Sequence, residues 1–159
     1  MTSFLIDVDT SEVSAALQRL TKSLEDLTPI MQEIGQAVDT HTMLGFRAGT
    51  DPYGNPWAPL SETTLSRRRG GGGQPLRDTA RLQNSFSYQA GPTSVEYGTN
   101  VEYASTHQYG ASKGAYGADQ HGRPIPWGGI PARPMLPSGE LPEALQREVL
   151  RIAEKAIRQ

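Results

Sequence analysis

No stretch of this chain limits its fold as tightly as Asp51-Pro52-Tyr53-Gly54-Asn55-Pro56-Trp57-Ala58-Pro59-Leu60. Asp-Pro and Asn-Pro open turns, Gly54 accepts a positive φ, and each proline fixes its own φ and narrows its neighbour's choices. Tyr53, Trp57 and Leu60 are large anchors that can hold the segment against a core, which a flexible linker would lack. An ordered loop is therefore predicted, with Pro52, Tyr53, Gly54, Pro56, Trp57 and Pro59 as its scaffold. Most of the 17 glycines and 12 prolines fall between residues 49 and 142. Loops of fixed shape should occupy the middle of the chain and regular elements its ends.

At 159 residues the chain is long enough to bury one core, so a single domain over 1–159 is expected. Cysteine is absent, which excludes disulfides, thiolate nucleophiles and thiolate metal sites. Neither a basic leader nor an apolar stretch long enough for export or membrane spanning opens the sequence, so synthesis in a cytoplasm and no membrane contact are expected. The net charge of −2 is unevenly spread. Residues 1–46 hold two basic and seven acidic groups, whereas 47–133 hold nine basic and six acidic. An acidic face on one copy and a basic loop on another would favour ordered association.

Along the chain, Phe4–Val8 reads as a short strand, and Ser11 can cap a helix whose face is Val13, Leu17, Leu20, Leu24 and Leu27. Thr28-Pro29 interrupts it. A second helix from Pro29 places Ile30, Ile34, Ala37, Val38, His41 and Met43 or Leu44 on its packed side and ends near Ala48-Gly49. Ser61 can cap a short helix to Arg69. Arg67-Arg68-Arg69 then meets Gly70-Gly71-Gly72-Gly73, a run that prefers no single path and needs a partner to order it. These seven residues form the candidate interface, in a loop near 67–75 expected to be mobile.

Asp78 or Thr79 can cap a further short helix containing Leu82. Ser85–Tyr88 and Ser94–Gly98 alternate as a hairpin around Gly91-Pro92. Val101–Gly110 suits a short helix closed by glycine. A second mobile loop is expected near 111–130. Ile130–Leu136 should return as an edge strand, and Pro142 should open a terminal helix with Ala144 or Leu145, Val149, Ile152, Ala156 and Ile157 on its apolar stripe. The sum is an α+β fold, in which a small antiparallel or mixed sheet packs against a long N-terminal helix or helix pair and a C-terminal helix.

Chemistry is sparse. His41 sits on a helical face where packing or hydrogen bonding accounts for it. His107 and His121 lack a compact ligand motif, although Asp119 and His121 with another histidine could in principle bind zinc. The glycine run lacks the lysine and hydroxyl residue of a phosphate loop. No catalytic centre, cofactor or metal site is expected. Three adjacent arginines could neutralise nucleic-acid phosphates, but the mildly acidic chain offers no extended basic face, which weighs against direct nucleic-acid contact.

The order of blocks is distinctive: a helix ending in Gly45-Phe46, the Asp51–Leu60 loop, Ser61 and Thr64, Leu76-Arg77-Asp78-Thr79, Leu82 and Ser85, Tyr103-Ala104 with His107-Gln108-Tyr109-Gly110, and Pro131-Ala132-Arg133-Pro134-Met135-Leu136. This order resembles the phage virion morphogenesis family, the tail completion proteins of contractile-tailed phages and prophages. The resemblance implies a fold like that of neck and tail-completion proteins. It further implies a non-enzymatic structural role in completing the tail or joining it to the head. Other tail or neck proteins would be its partners, and a homo-oligomer or ring is allowed. Its place would be the host cytoplasm during assembly, with retention in the tail or neck of the virion as one outcome. In the family pattern a glycine follows the Asp-Thr pair. Ala80 stands there, and replacing the glycine would extend the following helix. Tyr103, His107 and Tyr109 would line the segment beside the hairpin, Arg133 would form a buried or interfacial ion pair, and Pro134 belongs to the same scaffold. The alternative reading is a small adaptor for a non-phage partner.

Overall fold

The computed structural model describes residues 22, 26–68 and 72–158. The strand expected at 4–8 lies outside them, as does the leucine-faced helix except for Lys22, Asp26 and Leu27. The first full element is α1, Thr28–Ala48. Asp26 caps its start, where Oδ1 accepts from the Thr28 backbone N–H at 2.9 Å. Gly49 stops it in the left-handed conformation at φ 73°, donating to the Gly45 carbonyl at 2.8 Å. Then come α2 (Glu62–Arg67), a 3-10 turn (Gln83–Ser85), β1 (Phe86–Ala90), β2 (Val95–Thr99), α3 (Ala104–Tyr109) and α4 (Glu143–Ile157).

The two strands form an antiparallel hairpin with Phe86 opposite Thr99, Tyr88 opposite Tyr97 and Ala90 opposite Val95. Helix α1 packs on this hairpin, and the contact explains Gly35. A Cβ at that position would lie 2.4 Å from the Tyr88 ring, so only glycine lets the helix seat there. On the other side of α1, α4 buries Leu145 and Ile152. The core proper is Phe46, Trp57, Leu82, Val101, Ala104 and Met135, with Leu76 and Phe86 packed against it. Phe46 is its centre. Its ring meets Trp57 edge-on at 5.4 Å and Phe86 at 5.8 Å.

The α+β reading therefore holds, with corrections to particular elements. Ile130–Leu136 adds no strand, because Pro131 and Pro134 bring no N–H to a ladder and the Arg133 N–H goes to the His107 carbonyl at 2.7 Å. Ile130 pairs only with Ala111 in an isolated bridge. No helix starts at Asp78 or Thr79, since Ala80 adopts φ +57°, outside helical space, and only the 3-10 turn follows. Ala80 thus keeps a turn at this point and puts a methyl group into it. Ile157 faces solvent, so the buried stripe of α4 is narrower than its periodicity suggested, and of the two alternatives near the end of α1 Met43 is half-buried while Leu44 is exposed.

Candidate assembly interface

The Asp51–Leu60 loop is built around one carboxylate. Asp51 Oδ1 accepts from the backbone N–H groups of Tyr53 and Asn55, each at 2.9 Å, and Oδ2 accepts from the Asn55 side chain at 2.9 Å. The Asp51 N–H donates to the Asn55 carbonyl, closing a ring in which Gly54 takes φ +90°. Burial pushes the Asp51 carboxyl up, but the bonds from Asn55 and Tyr53 outweigh it and hold its pKa below the usual carboxylate value. His41 Nε2 lies 2.9 Å from the carbonyl of buried Pro52, tying the loop to α1.

Distant segments then lock onto this loop. The buried Trp57 indole donates to the Pro134 carbonyl at 2.7 Å. Arg133 is buried and donates from Nε to the Ala58 carbonyl at 2.7 Å and from Nη2 to the Pro59 carbonyl at 2.8 Å. Among the described residues these neutral acceptors, and no carboxylate, hold the Arg133 guanidinium, so of the ion pair expected for it only the interfacial form remains open. Gln108 completes the clamp, since its Oε1 accepts from the N–H groups of Met135 and Leu136 and its Nε2 donates to the Leu136 carbonyl. Tyr53 keeps its ring half in solvent and anchors through its hydroxyl, which donates to the carbonyls of Ser138 and Glu140. Glycine at 110 is obligatory, because at φ +74° its Cβ would stand 2.8 Å from the Ile130 carbonyl oxygen.

Beside the clamp opens a cleft of about 430 Å³, lined among others by Arg67, Ala80, Arg81, Tyr103, His107 and Arg133. Arg67 and Arg81 are exposed and make no ion pair among the described residues. Arg68 points inward. Its Nη1 holds the Gly72 and Gln74 carbonyls and its Nε faces Asp78 at 3.4 Å, so its charge serves the loop and not a neighbour. His107 stacks edge-on with Tyr103, and its Nδ1 is buried with no partner among the described residues. Burial, followed by the Arg133 charge, pushes the His107 pKa down and favours the neutral ring.

A model described as the phage virion morphogenesis family matches residues 8–158, and so covers both clamp and cleft. The chain belongs to that family. It is also similar to the Mu-like prophage FluMu G protein 2 of Haemophilus influenzae, at 30% identity over 125 residues that span 79% of this chain and 76% of that protein. No solved structure matches. Membership makes this a phage structural protein that works through protein contacts rather than catalysis. Among the described residues no three His, Asp or Glu side chains gather as metal ligands, and no helix is long and apolar enough to cross a membrane.

Within this virion morphogenesis protein, the clamp unites Pro52, Tyr53, Gly54, Pro56, Trp57, Pro59, His107, Arg133 and Pro134, and Tyr103 edges the cleft. Tyr109 is the exception. At 76% exposure it scaffolds nothing, because the end of α3 turns it outward. Of the candidate interface, Arg67, Gly72 and Gly73 are exposed and Arg68 is half-buried, while Arg69, Gly70 and Gly71 lie outside the described residues. Three organising residues escaped the sequence reading: Asp51, Gln108 and Asp119. Asp119 repeats the first turn, with Oδ1 accepting from the N–H groups of His121 and Arg123, Oδ2 from Arg123 Nε, and the Asp119 N–H donating to the Arg123 carbonyl. The signal was present as Asp-x-x-Gly-x-Pro at 51–56 and again at 119–124.

Proposed function

We propose that this chain completes the phage tail and joins it to the head, acting as a rigid piece between neighbouring tail or neck proteins. One observation carries the reading. The blocks scattered over residues 51–136 converge on a single clamp, and the exposed Arg67 of α2 and Arg81 stand at its edge. Such an arrangement suits a part that must keep its shape while offering charge to a neighbour. Assembly takes place in the host cytoplasm, as a ring or other homo-oligomer, and the 67–73 segment contacts the neighbouring protein.

The test is a prophage-induced or infected host in which the gene is deleted. Separate heads and unfinished tails should accumulate in electron micrographs, and supply of the chain in trans should restore whole particles. Normal yields of joined, infectious particles without it would overturn the proposal. Limited proteolysis sharpens the contact: cleavage within 67–73 should be rapid in the free chain and suppressed in particles, and equal cleavage in both would remove that segment from the interface.

A further inference from the structure

We infer that the cleft beside the clamp is a carboxylate receptor, which takes an extended acidic segment of a partner polypeptide. This rests on the structural role proposed above and names the chemistry of its contact. Arg67, Arg81 and Arg133 all line one cleft, and Asp78, the one acidic residue among its described lining, already faces Arg68. The cleft is therefore short of negative charge.

Arg133 gives the site its specificity. It is only 6% exposed, and its Nε and Nη2 are fixed by the Ala58 and Pro59 carbonyls, so its planar group is held before any ligand arrives. A buried cation with only neutral acceptors gains from an anion that approaches its remaining N–H groups. Beside it, Tyr103 and His107, paired edge-on, line the same cleft. Arg67 and Arg81 are exposed at the same cleft and can draw in further carboxylates.

Size and distribution decide the class of ligand. About 430 Å³ admits a few side chains of an extended strand and not a packed helix. Single-stranded nucleic acid would want a basic track with successive aromatic platforms, whereas the described lining of this cleft offers only the edge-on pair Tyr103 and His107, in a chain of net charge −2. Residues 1–27 of a second copy, with five acidic and two basic groups, are the competing protein occupant.

Fluorescence anisotropy with a labelled oligoglutamate peptide tests the site, with oligoglutamine and an oligothymidylate of equal charge as comparators. The full chain should bind oligoglutamate saturably and ignore oligoglutamine. The double variant Arg67→Glu, Arg81→Glu changes exposed residues and should fold normally, yet weaken binding at least about tenfold. Arg147→Glu, an exposed change on α4, should leave it unaltered. No binding, equal loss in Arg147→Glu, or preference for oligothymidylate would overturn the inference. So would a change of oligomeric state in the double variant by light scattering, because the occupant would then be a second copy. Particle assembly separates the two proposals. Whole particles built with the double variant would sink the receptor and leave the structural role standing, while whole particles without any of this chain would sink the role itself.

Discussion

The Asp51 and Asp119 turns are the same backbone device used for opposite ends. Each closes through the N–H of its aspartate to the carbonyl four residues on, carries a glycine at positive φ, and forms an isolated bridge across its base, Thr50 with Pro56 and Ala118 with Pro124. Each is followed by a tryptophan. Trp57 lies against Phe46 with its indole N–H on Pro134, whereas Trp127 stands 65% exposed with the Arg123 guanidinium 4.9 Å from its ring centre. The turn therefore does not decide whether a segment becomes core or surface. What lies behind it does: the end of α1 and the 131–136 segment in one case, solvent in the other.

The largest expected difference tests that statement directly. Trp57→Ala removes a buried ring from the centre of the core and should cost about 4 kcal/mol of unfolding free energy. Trp127→Ala should fall within about 0.5 kcal/mol of the parent, as an exposed substitution does. Urea denaturation of both variants checks the pair, and comparable losses would mean that the arm carries a hidden part of the core. Trp127 could then still matter to a partner, which particle assembly would read and denaturation would not.

The two carboxylates should differ next. Asp51→Ala strips three hydrogen bonds from a loop on which Trp57 and Arg133 depend, for a loss of about 1.5 kcal/mol. Asp119→Ala should loosen only its own arm, seen as faster amide exchange at His121 and Arg123 with no shift in the global transition. Acid bears on both, since hydrogen bonds hold each carboxyl below the usual carboxylate value. The folded pKa of Asp51 is depressed, so its contribution is fully present above the unfolded value near 3.9 and disappears as pH falls through the folded value. Asp51→Asn should therefore flatten the fall in stability below about pH 4. An unchanged acid limb would remove Asp51 as the organising charge of the loop.

Local chemistry was legible from the sequence, and long-range partners were not. Pro29, Gly49, Ser61 and Gly110 marked element boundaries because propensity and capping act within a few residues, and the 86–99 hairpin followed from alternation around Gly91-Pro92. Arg133 was expected to find a carboxylate inside the fold or across an interface, and inside the described fold its acceptors are backbone carbonyls more than seventy residues away, which leave no mark in the sequence. Gln108 was missed for the same reason, since its three bonds all reach backbone at 135 and 136. Tyr109 failed differently. Residue type suggested a scaffold aromatic, but only the direction of α3 determines which of its rings meets the clamp.

The smallest effect concerns a third turn, which lacks the glycine that the other two possess. Gly54 and Gly122 occupy φ +90° and +74° in open space, where a Cβ would meet nothing within 4 Å, so alanine at either would be penalised by the backbone alone. Ala80 already carries that methyl group at φ +57°. Relief of a left-handed alanine is worth roughly 1–2 kcal/mol, and the greater freedom of glycine in the unfolded chain takes back roughly half of it. Ala80→Gly should thus raise stability by about 0.5–1 kcal/mol, and Gly54→Ala should lower it by a similar amount. The denaturation midpoints should move in opposite directions at constant m. A loss of stability in Ala80→Gly would show that the Ala80 methyl does more for the cleft wall than its strain removes, and the turn at 80 would then differ in kind from those at 54 and 122.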